Sequence, residues 1–312
     1  MEKKPLILAV GANPAWQKVL YFNSLRRNSV NRAENMWAFA SGKGINFARA
    51  AFNWSRADVK LLQFAGGNNG KLLLDDLARE SLQVKSIAVE TPTRCCVTCL
   101  SGNDNSMTEL IEPSQAPGAA AEAEALEYIR TVMLQADAMA LCGQLPSGMA
   151  VDFYIKCAQI AAENGKRLLI DSWKNIAPVL KIARQATLKI NRDELSALTG
   201  ISEVKEAVKL LLNSYDLEYA AITDGSRQAY FAGRDAMYVY TIPEIGEVVN
   251  PVGSGDTASA VFFSSLLDGI SPEEAFAFAL AAASANCLSM KCGDFDVDKA
   301  FELYENIKVD TL

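Results

Sequence analysis

Short apolar runs that alternate with helical stretches constrain this chain more than any other feature. Six runs dominated by aliphatic residues, "LILAVGA", "VKLLQFAG", "AMALCG", "RLLIDS", "LKIN" and "YAAIT", are bounded by turn residues and read as strands. Helical spacing fills 43–54, 68–80, 119–136, 152–164 and 202–214 between them. Continuous apolar strands need cover on both faces, and a strand–helix–strand succession supplies it. The expected fold is therefore α/β, a mostly parallel sheet with helices on both faces. Past residue 255 the alternation stops, and three helices at 256–268, 272–290 and 297–307 are expected to close the chain without a further strand between them.

Two segments break the pattern. Residues 16–40 and 91–112 hold "KVLYF", "NMWAFA", "RCCVTCLS" and "SMTELIE", with the turn "SGNDN" between the last two. They are expected to form a small antiparallel β lid over the strand ends, where open α/β sheets take ligands. No Gly-, Ser- or Pro-rich linker and no internal repeat divides the chain, so residues 1–312 read as one domain carrying that lid. The exposed lid strands offer edges through which a homodimer could pair.

The octapeptide "NPVGSGDT" (250–257) precedes a helical run. Gly253 and Gly255 let the backbone turn so that N–H groups from Gly253 through Ser254 to Asp256 converge at a helix start, a cup suited to phosphate. A carboxylate there needs its own task, such as taking the proton of an attacking hydroxyl; the plainer alternative is an Asp N-cap after a Gly-rich turn.

Composition narrows the chemistry. Histidine is absent, which removes His-based triads and HExxH zinc sites, so a general base must be Asp, Glu, Lys, Tyr or Cys. A net charge of -7 favours a small polar partner over nucleic acid. No long apolar stretch or signal-peptide pattern points to a membrane, and a cytoplasmic location is expected. The seven cysteines, an odd number without repeating spacing, read as reduced thiols, with "CCVTC" as buried strand residues rather than a metal cluster.

With "NPAWQ", "SGKGINFARA", "TRCCVTC", "TELIEP", "GQLPSG", "KINRDEL" and "NPVGSGDT" in this order, the chain resembles the PfkB-type carbohydrate kinases of the ribokinase-like superfamily over nearly its whole length. It is most similar to the branch of 1-phosphofructokinase and tagatose-6-phosphate kinase. The resemblance implies an ATP- and Mg2+-dependent kinase acting on a sugar phosphate. It implies Asp256 as catalytic base and Gly253, Ser254 and Gly255 as the anion hole. Asn191, Thr223, Gly225 and Asn286 would face the nucleotide, with Glu194 toward magnesium; for Asn191 and Glu194 the alternative is a helix start with a solvated Glu. Gly42, Lys43, Asn46 and Arg94 would face the sugar, Lys43 and Arg94 clamping its phosphate and Arg32 a weaker candidate for that phosphate; Arg94 could equally be a solvated strand residue.

The chain departs from the family pattern at Gln17, where an Asp is usual, at Gln144, at Ser41 and at Gln228. An amide at 17 adds an NH2 donor that an Asp lacks, so ketose phosphates are expected to fit poorly unless Gln144 compensates. A kinase for an unphosphorylated sugar or nucleoside, and a non-catalytic sugar-phosphate-binding protein, are the alternatives.

Overall fold

The computed structural model describes residues 3–312. Its main sheet has ten strands. The parallel part comprises β1 (Leu6–Gly11), β4 (Asp58–Gly66), β5 (Gln83–Val89), β8 (Ala138–Cys142), β9 (Arg167–Asp171), β10 (Ala186–Asn191) and β11 (Leu217–Asp224). Antiparallel β12 (Gln228–Ala232), β13 (Met237–Thr241) and β14 (Lys308–Thr311) extend one edge. The order is β14-β13-β12-β11-β10-β9-β8-β1-β4-β5. The expected α/β class is the one observed.

Side chains alternate between the two faces, as the pleat requires. Ile7, Ala9, Ala138 and Ala140 pack with α1 (Lys43–Trp54), α8 (Ser254–Leu267), α9 (Pro272–Asn286) and α10 (Val297–Tyr304). Leu8, Val10, Met139 and Leu141 pack on the other face against α3 (Ala119–Met133), α4 (Asp152–Glu163), α5 (Ala177–Ile182), α6 (Arg192–Thr199) and α7 (Val204–Ser214). Most residues of α8 and α9 are buried, in keeping with helices apolar around their whole circumference. Ser271 caps α9 by accepting from the Glu274 N–H, with Pro272 at the first helical position.

The second sheet has four strands in the order β3-β2-β6-β7: β2 (Ala15–Phe22), β3 (Asn35–Ser41), β6 (Arg94–Ser101) and β7 (Ser106–Ile111), with α2 (Gly67–Leu77) beside it. Each hairpin is antiparallel, and the pair that joins them, β2 with β6, is parallel. One face packs inward through Val19 and Phe39 against Cys292, whereas all of β7 is exposed. The seven thiols are unpaired and all but Cys287 are buried.

The chain end differs from expectation. α9 and α10 are shorter than predicted, and after α10 the chain adds β14, whose four residues are all exposed and carry no apolar alternation to announce a strand. The strands β5, β12 and β13 also lie outside the six predicted runs, being half-buried and near the sheet edges. No helix among the described residues is long and apolar enough to cross a membrane.

Candidate active site

Strand order reverses about β1, with β4 on one side and β8 on the other, so a crevice opens at the carboxyl ends of the parallel strands. The "GSGD" turn faces it. Gly253 has φ 86°, in the left-handed region, and a Cβ there would lie 2.8 Å from the Cβ of Cys292. Among the described residues the N–H groups of Gly253, Gly255 and Asp256 donate to no protein acceptor. Asn286 braces the turn from behind: its Nδ2 donates to Val252 O at 3.1 Å, and its Oδ1 accepts from Thr257 Oγ1 at 3.2 Å and Gly293 N at 2.8 Å. Expected on the nucleotide groove, Asn286 is instead fully buried, with both ends of its amide engaged.

Asp256 is buried in the first turn of α8, and its Oδ2 accepts from Asn46 Nδ2 at 2.7 Å. Burial pushes its carboxyl up to about 6; the charge of Asp171 adds to that rise, while Lys43, Lys189 and the Asn46 amide oppose it. Beneath it lies a charge cluster. Lys43 Nζ contacts Asp171 Oδ1 at 2.6 Å, Ser259 Oγ donates to Asp171 Oδ2 at 2.5 Å, and Lys189 Nζ stands 3.7 Å from that oxygen. Burial opposes the charge on Asp171, but Lys189 and Lys43 outweigh it and hold the carboxyl below its usual range. Burial likewise works against charged Lys43, yet the carboxylates of Asp171, Asp256 and Glu194 raise it well above its ordinary value. Nearby thiols are no better as bases, since burial pushes Cys292 up to about 12 and holds Cys142 well above its ordinary value. Asp256 is thus the group able to accept a proton near neutrality.

Along the crevice the register sets Asn191 opposite Thr223 at the ends of β10 and β11, with exposed Gly225 just beyond. Asn191 and Glu194 form a capping box on α6, the Asn191 side chain accepting from Glu194 N at 2.8 Å and Glu194 Oε2 accepting from Asn191 N at 2.9 Å. Among the described residues no three His, Cys, Asp or Glu side chains converge on a common point. A single carboxylate such as Glu194 suits magnesium, which keeps most of its waters and takes phosphate oxygens.

On the sugar side, Lys43 is engaged with Asp171, whereas Arg94 lines a cavity with Asn13, Thr91, Thr93 and Ser114. Arg94 donates from Nη2 to Asn13 O at 3.2 Å, and its buried Nε has no partner. Gln17 is buried on β2 and donates from Nε2 to Thr98 Oγ1 at 2.9 Å and to Lys18 O at 3.2 Å. A backbone carbonyl can only accept, so the amide orientation is fixed and Gln17 has only its carbonyl oxygen left to offer. The unmatched donor expected at Gln17 does not arise. Gln144 is half-buried after Gly143, which lies against the Lys43 stem, and Gly42 opens α1 with φ 113°. Arg32 is exposed between β2 and β3, and Gln228 is exposed at the start of β12.

Sequence reasoning missed Asp171, Lys189 and Ser259. A signal was present, because Lys189 is a charge inside the strand run "LKIN" and Asp171 ends the strand "RLLID".

Known proteins resemble this chain over nearly its whole length. A tagatose-6-phosphate kinase of Staphylococcus epidermidis is 27% identical over 312 residues, covering 97% of this chain and 99% of that one. The Escherichia coli phosphofructokinase-2 structure in complex with fructose-6-phosphate superposes with a TM-score of 0.85 at 21% identity, over 96% of this chain and 98% of that chain. An Arabidopsis thaliana ribokinase complexed with ribose and ATP gives a TM-score of 0.74 at 19% identity, over 97% and 99% of the two chains. The model of the pfkB family carbohydrate kinases matches residues 10–300, which takes in the "NPAWQ" turn, the Asn46–Asp256 pair and the α8 mouth alike. This chain belongs to the pfkB family of carbohydrate kinases.

Proposed function

We propose that this carbohydrate kinase transfers the γ-phosphoryl group of ATP to a hydroxyl of a sugar phosphate, as one domain with the second sheet as its lid. The observation that carries this reading is a buried carboxylate, Asp256, held at 2.7 Å by Asn46 beside unpartnered backbone N–H groups at the mouth of α8. Asp256 takes the proton of the attacking hydroxyl, and its raised pKa matches that task near neutral pH. The N–H groups of Gly253, Gly255 and Asp256 receive the charge of the transferred group, aided by the helix dipole, while the Ser254 N–H is engaged with Pro251 O at 3.3 Å. Lys189, whose Nζ lies 2.8 Å from where a Gly255 Cβ would stand, adds positive charge behind them. Asn191, Thr223 and Gly225 line the nucleotide, and Glu194 would hold magnesium through water. Magnesium supplies neutralisation of phosphate charge when bound.

Arg94 supports a substrate that already carries a phosphate, since its guanidinium, with an unpartnered buried Nε, belongs to a residue lining a cavity together with Thr91, Thr93 and Ser114. The carbonyl of Gln17 accepts from a sugar hydroxyl as an Asp would, so a ketohexose monophosphate is the favoured acceptor. The enzyme works in the cytoplasm and pairs as a homodimer through exposed lid residues such as Met36, Leu110 and Ile111. The test is ATP turnover against a panel of sugars, sugar phosphates and nucleosides. Turnover confined to phosphorylated ketoses supports the proposal. Turnover of free sugars or nucleosides overturns the substrate class, and tight sugar-phosphate binding without turnover overturns catalysis.

A further inference from the structure

Arg49 lies in α1, one turn beyond Asn46, and is 4% exposed. Its guanidinium is gripped by Glu80, Nε to Oε2 at 2.8 Å and Nη2 to Oε1 at 2.9 Å, and Lys291 holds Glu80 Oε1 from the other side at 2.8 Å. The remaining reach of the fork goes to two backbone carbonyls, Ala40 O from Nη2 at 3.0 Å and Cys292 O from Nη1. Each carbonyl precedes a residue that touches Asn46. Ser41 Oγ donates to Asn46 Oδ1 at 3.0 Å, and Gly293 lies so close that a Cβ there would stand 2.4 Å from Asn46 O.

We propose that Arg49, fixed by Glu80, is a positioning residue for phosphoryl transfer: it pins Ala40 and Cys292 so that Ser41 and Gly293 hold Asn46 where it orients Asp256. A buried ion pair is not what packing alone demands, because apolar side chains of similar volume often serve stability as well or better. A planar fork that reaches four acceptors on three chain segments supplies geometry instead. Asp76 Oδ2 accepts from Ala40 N at 2.9 Å, so the end of β3 is held at both its N–H and its C=O by side chains. The same grip fixes where the lid strand β3 turns into α1.

The inference rests on the kinase reading, and its test separates the two. The unsubstituted protein is first assayed with ATP against the full panel of sugars, sugar phosphates and nucleosides; absence of turnover with every acceptor sinks the kinase reading itself, and the best acceptor found serves for the variants. Arg49→Lys keeps the charge and a contact to Glu80 but loses the fork. It should lower kcat about tenfold or more while leaving the KM for ATP within about twofold, the pattern of a lost transition-state interaction. In an Asn46→Ala background the same change should cost less than about twofold, because residues that act through one another are non-additive. Should Arg49→Lys fold poorly, Glu80→Gln tests the same link and should give the same coupling with Asn46→Ala. An unchanged kcat, or kcat losses that multiply in the Asn46→Ala background, overturns the positioning role and leaves Arg49 a structural residue.

Discussion

Asn46 and Asp256, 210 residues apart in the sequence, meet at 2.7 Å through Nδ2 and Oδ2. The contact fixes one carboxylate oxygen; on the function proposed above, the other takes the substrate hydroxyl. Asp256→Asn keeps the shape but removes the proton acceptor. Turnover should fall at least about a hundredfold, the lower range for a lost acid/base group, with ATP binding unchanged by titration calorimetry. Near-normal turnover would take Asp256 out of the mechanism.

The acid limb of kcat/KM should lie near pH 6, since Asp256 must be unprotonated to act and burial pushes its carboxyl up to about 6. The same shift has a stability consequence of opposite sign to the usual carboxylate. A raised folded value means that Asp256 favours the fold when protonated, and that contribution is lost as pH rises through about 6. Asp256→Asn should therefore melt at or above the unsubstituted protein at pH 8, with the advantage gone at pH 4.5. A rate profile still flat at pH 4.5 would contradict the burial argument.

Arg94→Ala and Lys43→Ala should separate in their effects. Loss of Arg94 should weaken the phosphorylated sugar by about 2 to 5 kcal/mol, the range for truncating one partner of a buried charge pair, without changing the KM for ATP. Lys43 is tied to Asp171 at 2.6 Å, so its loss should fall mainly on kcat. Steady-state kinetics on both variants decides, and an Arg94→Ala enzyme with an unaltered sugar-phosphate KM removes the phosphate contact.

Thr98→Val tests the orientation of Gln17. The hydroxyl that accepts the Gln17 amide at 2.9 Å disappears, and only the longer bond to Lys18 O, at 3.2 Å, still opposes a turn of the NH2 away from it. We expect poorer kcat/KM for ketose phosphates in Thr98→Val, and values within about tenfold of each other for the unsubstituted enzyme and Gln17→Asp, because both present an acceptor. A Gln17→Asp enzyme far better than its parent would show that the amide is a handicap after all.

The fold class and the sharp turn before α8 were legible because their signals are local. Apolar runs mark buried strands, and Gly253, with its positive φ, marks a turn at a helix start. The tie between Asn286 and the turn was not legible, since an Asn late in a helix looks alike whether it lines a groove or braces a loop. Nor was the Thr98 partner of Gln17, because cross-strand neighbours in the second sheet depend on the parallel pairing of β2 with β6, which no local pattern encodes. The edge strand β14 escaped for the opposite reason: it buries nothing, so it needs no apolar alternation.

The strand order carries a consequence for how the chain is made. β1 is synthesised first; β4 and then β5 add outward on one side, and β8 through β14 add one after another on the other. Every new strand of the main sheet therefore leaves the ribosome with the strand it pairs with already synthesised. The candidate site completes late in that sequence. Asn46 waits through two hundred residues of elongation for Asp256, and the turn that steadies them includes Gly293, so a nascent chain assembles a nearly complete scaffold before the two can meet.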